Sequence, residues 1–301
     1  MKIGVLDVDG HNFPNLALMK IANYHKQQSD AVEWLNHLQR YDKVYQSKVF
    51  TFTSDVKTVV QADEIIKGGT GYKMYGDLFC DDTEPDYSLY PQYPHAYGFL
   101  TRGCVRHCPW CIVPKKEGAI RPYRDIETVL HGRKTAILMD NNVLASNHGL
   151  QQLEKIVDIG CKVDFNQGLD SRLVTDEIAK LLSKVKWIRF IRFACDTTMA
   201  VEPLLKAVEK LNKYGVKNYR IFVYLLVNDV DDANERCKIL KRLGVNPFAQ
   251  SYRDFSNAVS PTQEQKYFAW YVNQKAVFKA TAWEDYRSKS KALSSRQSFV
   301  R

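Results

Sequence analysis

Short apolar runs and amphipathic stretches alternate along most of the chain, and that alternation predicts its elements. Lys2 to Val8 (KIGVLDV) is a nearly continuous apolar run with β-branched residues, which predicts a buried strand. Asp9-Gly10 supplies a turn. Pro14 suits the first turn of a helix that carries Leu16, Met19, Ile21, Ala22 and Tyr24 at helical spacing. Further strands are predicted at Ala31 to Leu35, at Lys43 to Thr53, and at Glu64 to Ile66, the last closed by Gly68-Gly69. Strand–helix–strand order with such connections predicts a parallel sheet, so residues 1–80 read as a small Rossmann-like α/β unit.

Residues 72–96 are rich in Tyr, Asp and Pro and keep neither period; the linker proper is expected at 81–96. A second, larger unit follows at 97–285. Its strands are expected from Tyr97, at Ala136 to Asp140, Val163 to Gln167, Trp187 to Cys195, Tyr219 to Val227 and Asn246 to Tyr252. Helices are expected between them at Asn147 to Gly160, Thr175 to Lys186, Val201 to Gly215 and Asp231 to Gly244, with Gly160, Gly215 and Gly244 as stops. Ser260-Pro261-Thr262-Gln263 resembles a capping box with Pro at the first helical position. The helix after it is expected to bury Phe268, Trp270, Tyr271, Val272, Ala276, Val277 and Phe278. Residues 286–301 form a basic, polar tail that is expected to be disordered. With the strand at Tyr97 this makes six β/α units, and in parallel arrays of that kind chemistry gathers at the C-terminal ends of the strands.

The first of those strand ends carries the densest chemistry. Tyr97 to Pro114 (YGFLTRGCVRHCPWCIVP) holds Cys104, Cys108 and Cys111 in a C-x3-C-x2-C spacing. Arg102, Arg106 and His107 lie among them and bias the thiols towards thiolate. Three thiolates are one short of the four that usually hold a cubane iron–sulfur cluster, which leaves one iron open to a small chelating molecule. Structural zinc would need a fourth ligand, normally from a second pair downstream. Cys80, Cys161, Cys195 and Cys237 are scattered singly, and His107 lies inside the same loop.

This spacing, with Trp110 just before the last cysteine and a strand before the first, resembles the radical S-adenosylmethionine (SAM) superfamily. The resemblance implies a partial (β/α)6 barrel and a [4Fe-4S] cluster on Cys104, Cys108 and Cys111. It also implies SAM on the open iron, an electron donor protein such as a flavodoxin or ferredoxin, and reductive cleavage of SAM to methionine and a 5′-deoxyadenosyl radical. Trp110 is then expected near the cluster and the adenine. Asp140, Asn141 and Asn142 end the second strand, where the family often has a Gly-Gly-Glu that contacts the SAM amine; here the glycines are absent, so Asp140 and Asn142 are candidates by position. Asn166-Gln167-Gly168-Leu169-Asp170-Ser171-Arg172 resembles a stretch common in cobalamin-type members, and nominates Asn166 and Gln167. Asp196, after the fourth strand, is a further candidate for SAM, while Arg192 is expected to bridge to Asp140 and Asp170 to pair with Arg172.

Residues 1–80 resemble, in part, the cobalamin-binding domain that precedes this barrel in many relatives. The D-x-H-x-x-G motif falls on Asp9, His11 and Pro14, so His11 is a candidate cobalt ligand, but the glycine has become a proline. Methylthiotransferases resemble the barrel region too, but carry three more cysteines upstream for a second cluster, which Cys80 alone cannot supply. Composition narrows the rest. The formal net charge of +9 suits an anionic partner such as RNA or a phosphorylated substrate, or simply a solvated basic surface. Seven unevenly spaced cysteines are not a disulfide framework, and nothing resembles a secretory signal or membrane span, so a cytoplasmic protein without membrane contact is expected. The function expected is therefore a radical SAM enzyme on an unidentified substrate. A cobalamin-dependent radical SAM methyltransferase and a non-catalytic, metal-stapled nucleic-acid-binding protein are the alternatives.

Overall fold

The computed structural model describes residues 1–10, 13–254 and 259–287 of the chain. His11 and nearly all of the predicted basic tail lie outside them. The architecture is α/β, built on parallel sheets.

The N-terminal sheet contains β1 (Lys2–Asp7), β2 (Ala31–Trp34), β3 (Tyr41–Ser47) and β4 (Ala62–Gly68), all parallel, in the order β2-β1-β3-β4. Helix α1 (Leu16–Gln27) crosses from β1 to β2. Its cap is Asn15, which accepts from the Leu18 amide, so Pro14 precedes the cap rather than opening the helix. The third strand ends at Ser47, six residues before the predicted Thr53. The reason lies in Asp9: its carboxylate accepts from the amides of Val49 (2.5 Å) and Phe50 (3.3 Å) and from the Thr53 hydroxyl (2.6 Å), which folds 48–53 into a turn. That turn lies just past the ends of β1 and β3, the switch point where such sheets bind ligands.

The Tyr- and Pro-rich stretch is packed. Leu89 and Tyr90, with Cys80, share a buried cluster with Ile3, Val5, Leu18 and Met19 of the N-terminal sheet and its helix. Lys20 ties this unit to the next, donating to Asp81 (2.8 Å) and Tyr123 (3.1 Å).

The second sheet system begins with β5 (Ala96–Gly98), followed by the antiparallel pair β6 (Thr101–Arg102) and β7 (Arg121–Pro122), which brackets the cysteine loop and the short helix α2 (Val113–Lys116). After α3 (Ile126–Leu130), β8 (Thr135–Leu138), α4 (Asn147–Ile159), β9 (Lys162–Phe165) and α5 (Asp176–Lys184), the chain forms β10 (Lys186–Trp187) and β11 (Ile191–Ala194). The remaining elements are α6 (Val201–Lys213), β12 (Ile221–Val227), α7 (Val230–Leu243), β13 (Asn246–Ser251), α8 (Gln263–Asn273) and α9 (Lys275–Ala280). One parallel sheet runs β10-β9-β8-β5, another β11-β12-β13. The predicted strand at Trp187 to Cys195 is thus two: β10 pairs with β9 and β11 with β12. The sheets meet at one parallel bridge, Leu169 to Phe193, where the Leu169 amide donates to the Arg192 carbonyl (2.7 Å).

A single buried cluster underlies both sheets, from Leu100 and Leu138 through Val163 and Phe193 to Val223 and Phe268. Helices α4, α5 and α7 start on the side chains of Ser146, Thr175 and Asp229, and α4 and α7 stop on left-handed Gly160 and Gly244. At α8 the capping box is real but shifted: Thr262 is the cap and Gln265 its partner, with Pro261 outside. The helix also breaks at Gln274, and Trp270 faces outward at 51% exposure while Phe268, Tyr271 and Val272 are buried. Among the described residues no helix is long and apolar enough to cross a membrane.

Candidate functional site: a cysteine loop at the strand ends

The loop begins where β5 stops. Asp140, just past the parallel neighbour β8, turns its carboxylate back onto it and accepts from the amides of Leu100 (3.1 Å) and Thr101 (2.6 Å) and from the Thr101 hydroxyl (2.7 Å). It is 1% exposed, and burial pushes its carboxyl up to about 6. Asp140 thus ties the root of the loop to the end of β8. Arg192 does not reach it: Arg192 forms a two-pronged pair with Asp164 on β9 (2.6 Å for each prong).

Beyond that root, Gly103 takes φ +80 and packs so closely that an added Cβ would stand 2.2 Å from the Ala119 carbonyl oxygen. Glycine is required there. Glu117, at the end of α2, binds both arms of the loop, accepting from Arg102 Nε (3.1 Å), the Gly103 amide (3.1 Å) and Asn141 Nδ2 (2.8 Å). Sequence reasoning missed Glu117, because nothing in the spacing distinguishes it from a surface carboxylate at a helix end.

Cys104, Cys108 and Cys111 are free thiols, the first two partly buried and the third exposed. Burial pushes the Cys108 and Cys111 thiols up, and the neighbouring cysteines push the same way, Cys104 on both and Cys108 on Cys111, so the three sulfurs lie within electrostatic reach of one another. The cation that opposes this at Cys108 is Arg172. Two of the basic residues expected to do so are employed elsewhere: Arg102 pairs with Glu117 and covers the Phe99 ring (4.1 Å), and Arg106 pairs with Asp170 (2.9 Å). Among the described residues no three His, Cys, Asp or Glu side chains converge as a single bound ion would require. A four-iron cluster makes a different demand, taking each thiolate on a separate iron and supplying the positive charge that ionises it.

Asp170 is the hub of the surrounding polar shell. It accepts from Arg106 Nε, from Arg172 Nε (2.6 Å) and from Asn142 Nδ2 (3.3 Å), and although burial alone would raise it, the two guanidinium groups hold its carboxyl below the usual range. Asn142 is 2% exposed; its Nδ2 lies 3.5 Å from Cys104 Sγ, and its Oδ1 is buried with no donor. Asp196, at the end of β11, accepts from the Leu226 amide (3.1 Å); burial raises its carboxyl, and its charge is felt at both Cys108 and Cys111. Asn166 and Gln167 bond to each other (3.1 Å), with the Asn166 carbonyl accepting from Tyr224 (2.7 Å). Trp110 is half-buried within the loop. Thus Asn142 reaches the Cys104 sulfur and bonds to Asp170, which in turn holds Arg106 and Arg172, while Asp140 bonds to the root of the loop and Arg192 to β9. The sequence predicts only a mutual pair for Asp170 and Arg172; the structure adds Arg106 and Asn142 to it.

No family model matches the chain. Among curated proteins it is similar to the ribosomal protein uS12 methylthiotransferase RimO of Caldanaerobacter subterraneus subsp. tengcongensis. The two are 27% identical over 169 residues, which is 54% of this chain and 36% of that protein. The chain therefore spans about a third of the length of the curated relative it matches.

Proposed function

We propose that the chain is a radical SAM enzyme, in which Cys104, Cys108 and Cys111 hold a [4Fe-4S] cluster with one iron open to SAM. The observation that carries the reading is the grouping of three free thiols on one glycine-hinged loop at the end of a parallel strand, with the strand ends that follow turning polar groups towards them. The likeness to a methylthiotransferase supports the same class. On this reading β5, β8, β9, β11, β12 and β13 are the six strands of a partial (β/α)6 barrel, opened slightly at the bridge between Leu169 and Phe193.

When bound, the cluster would supply the electron that splits SAM. The chain's own contribution is to bind and orient. The buried, donor-free Oδ1 of Asn142 is suited to accept from the SAM ammonium group. Asp196, whose ionised form lacks sufficient compensation for burial, would gain from a cation beside it. Asn166, Gln167 and Trp110 remain candidates for the rest of SAM, and a flavodoxin- or ferredoxin-like protein for the electron.

Cobalamin finds less support. Asp9 of the expected motif is bonded to the Val49 amide and the Thr53 hydroxyl, and the expected motif glycine is Pro14. Methylthiolation would call for a second cysteine set, and Cys80 is buried in the N-terminal core.

Anaerobic reconstitution with iron and sulfide tests the proposal. Expected are bound iron and sulfide, a reducible cluster signal by electron paramagnetic resonance, and 5′-deoxyadenosine on reduction with SAM. Retention of zinc instead, with no cleavage of SAM, would overturn it in favour of a metal-stapled, nucleic-acid-binding protein.

A further inference from the structure

We infer that Asn142 is a positioning residue that sets the reduction potential of the cluster through a hydrogen bond to the Cys104 sulfur; this rests on the radical SAM reading above. Two neighbours define the orientation of its side-chain amide, Cys104 Sγ at 3.5 Å and Asp170 Oδ2 at 3.3 Å. Both are acceptors, one a metal-binding sulfur and the other a carboxylate held ionised by Arg106 and Arg172. Only the nitrogen end of the amide can face them. The same orientation leaves Oδ1 buried and without a donor, an arrangement tolerated because the nitrogen end has two partners.

The Cys104 sulfur receives a second donor, the backbone amide of Arg106 at 3.3 Å. That bond is built into the loop and no side-chain change removes it. The bond from Asn142 comes from a different strand end and is the adjustable one. Hydrogen bonds to a ligating sulfur favour the form of the cluster with more negative charge, so they ease reduction. A glutamate or aspartate at this place would set a carboxylate against a thiolate and act in the opposite sense. Asp170 comes near Cys104 only with two guanidinium partners of its own, so its charge is compensated before it reaches the sulfur.

The measurement is a potentiometric titration of the reconstituted cluster without SAM, with dithionite as the one-electron reductant, mediators, and electron paramagnetic resonance as readout. Wild type is compared with Asn142→Leu, which is of similar size and cannot donate, and with Asn142→Asp. Both variants are expected to take up iron and sulfide as wild type does. In Asn142→Leu the reduction equilibrium should move about tenfold towards the oxidised cluster, about 59 mV for one electron, and in Asn142→Asp at least as far in the same direction. Loaded variants with the wild-type potential would overturn the inference. So would failure of both variants to hold a cluster, which would make the role of Asn142 structural. If wild type itself takes up no iron, it is the radical SAM reading that fails instead.

Discussion

Replacing Asp140 with alanine should loosen the cysteine loop at its root while leaving every cysteine in place. The carboxylate serves three donors, the amides of Leu100 and Thr101 and the Thr101 hydroxyl, on residues that are themselves fully buried. Each donor left without a partner in such a place costs about 1–3 kcal/mol. The variant also sheds a charge that is expensive to bury, which offsets part of the loss. With the carboxyl pushed from 3.8 up to about 6, that charge costs on the order of 3 kcal/mol at neutral pH. The expected net effect at pH 7 is a destabilisation of about 3 kcal/mol. A second variant, Asp140→Asn, isolates the charge, because the amide oxygen still accepts from the loop while the ionisation is gone.

The sign of the pH effect follows. A carboxyl raised in the folded state contributes stability that is fully present below its unfolded pKa of about 3.8 and is lost as pH rises through about 6. Wild type should therefore lose on the order of 3 kcal/mol relative to Asp140→Asn between about pH 4 and pH 6.5. Urea unfolding of the metal-free protein across that range measures the difference, and amide exchange at Leu100 and Thr101 locates it. An alanine variant within about 1 kcal/mol of wild type, or wild-type and asparagine proteins that track one another from pH 4 to pH 7, would refute the reasoning.

Two further outcomes are expected from the same region. Gly103→Ala forces a left-handed φ and a Cβ into the Ala119 carbonyl, so iron uptake on reconstitution should fall sharply and stability should drop by at least about 1–3 kcal/mol. Cys80→Ser, by contrast, should leave iron and sulfide content unchanged while lowering the thermal midpoint, since its thiol, pushed up to about 11 by burial, is a core group of the N-terminal unit. Iron lost from Cys80→Ser would mean that Cys80 does ligate metal.

The elements of the second sheet system were legible because their apolar runs are long and their helices carry their own caps: Thr175, Gly160 and Gly244 act where the pattern puts them. The break at Ile188 to Phe190 was not legible. A largely apolar run, with only Arg189 and Arg192 inside it, does not reveal that Trp187 pairs with β9 while Ile191 pairs with β12, a choice made by distant strands. Likewise the early end of β3 depends on Asp9, about forty residues upstream, reaching the Val49 and Phe50 amides. At the site, spacing alone exposed the three cysteines and the strand-end rule nominated Asn142 and Asp196. The roles of Asp140, Glu117 and Arg172 depend on which partners face them in three dimensions, and a string of residues carries no such direction.

Two acidic groups, Asp170 and Asp196, differ in how the fold compensates their charge. Asp170 lies close enough to the thiols to influence Cys108, and Asp196 close enough to influence both Cys108 and Cys111; both carboxylates are taken out of water by the fold. Their carboxyls nevertheless move in opposite directions. Asp170 has two guanidinium groups in direct contact and is held low; its charge is consumed in locking Arg106 of the loop to Arg172 of the next strand end. Asp196 has one backbone amide in contact, with Arg236 and Arg172 acting only at a distance, and is raised. A scaffold carboxylate is stabilised by partners already present, whereas one kept high by burial gains most when a cation arrives. On the proposed reading that cation is SAM, and the same contrast explains why Asn142, uncharged, is the residue that can stand between a thiolate and a carboxylate without adding a third negative charge to the pair.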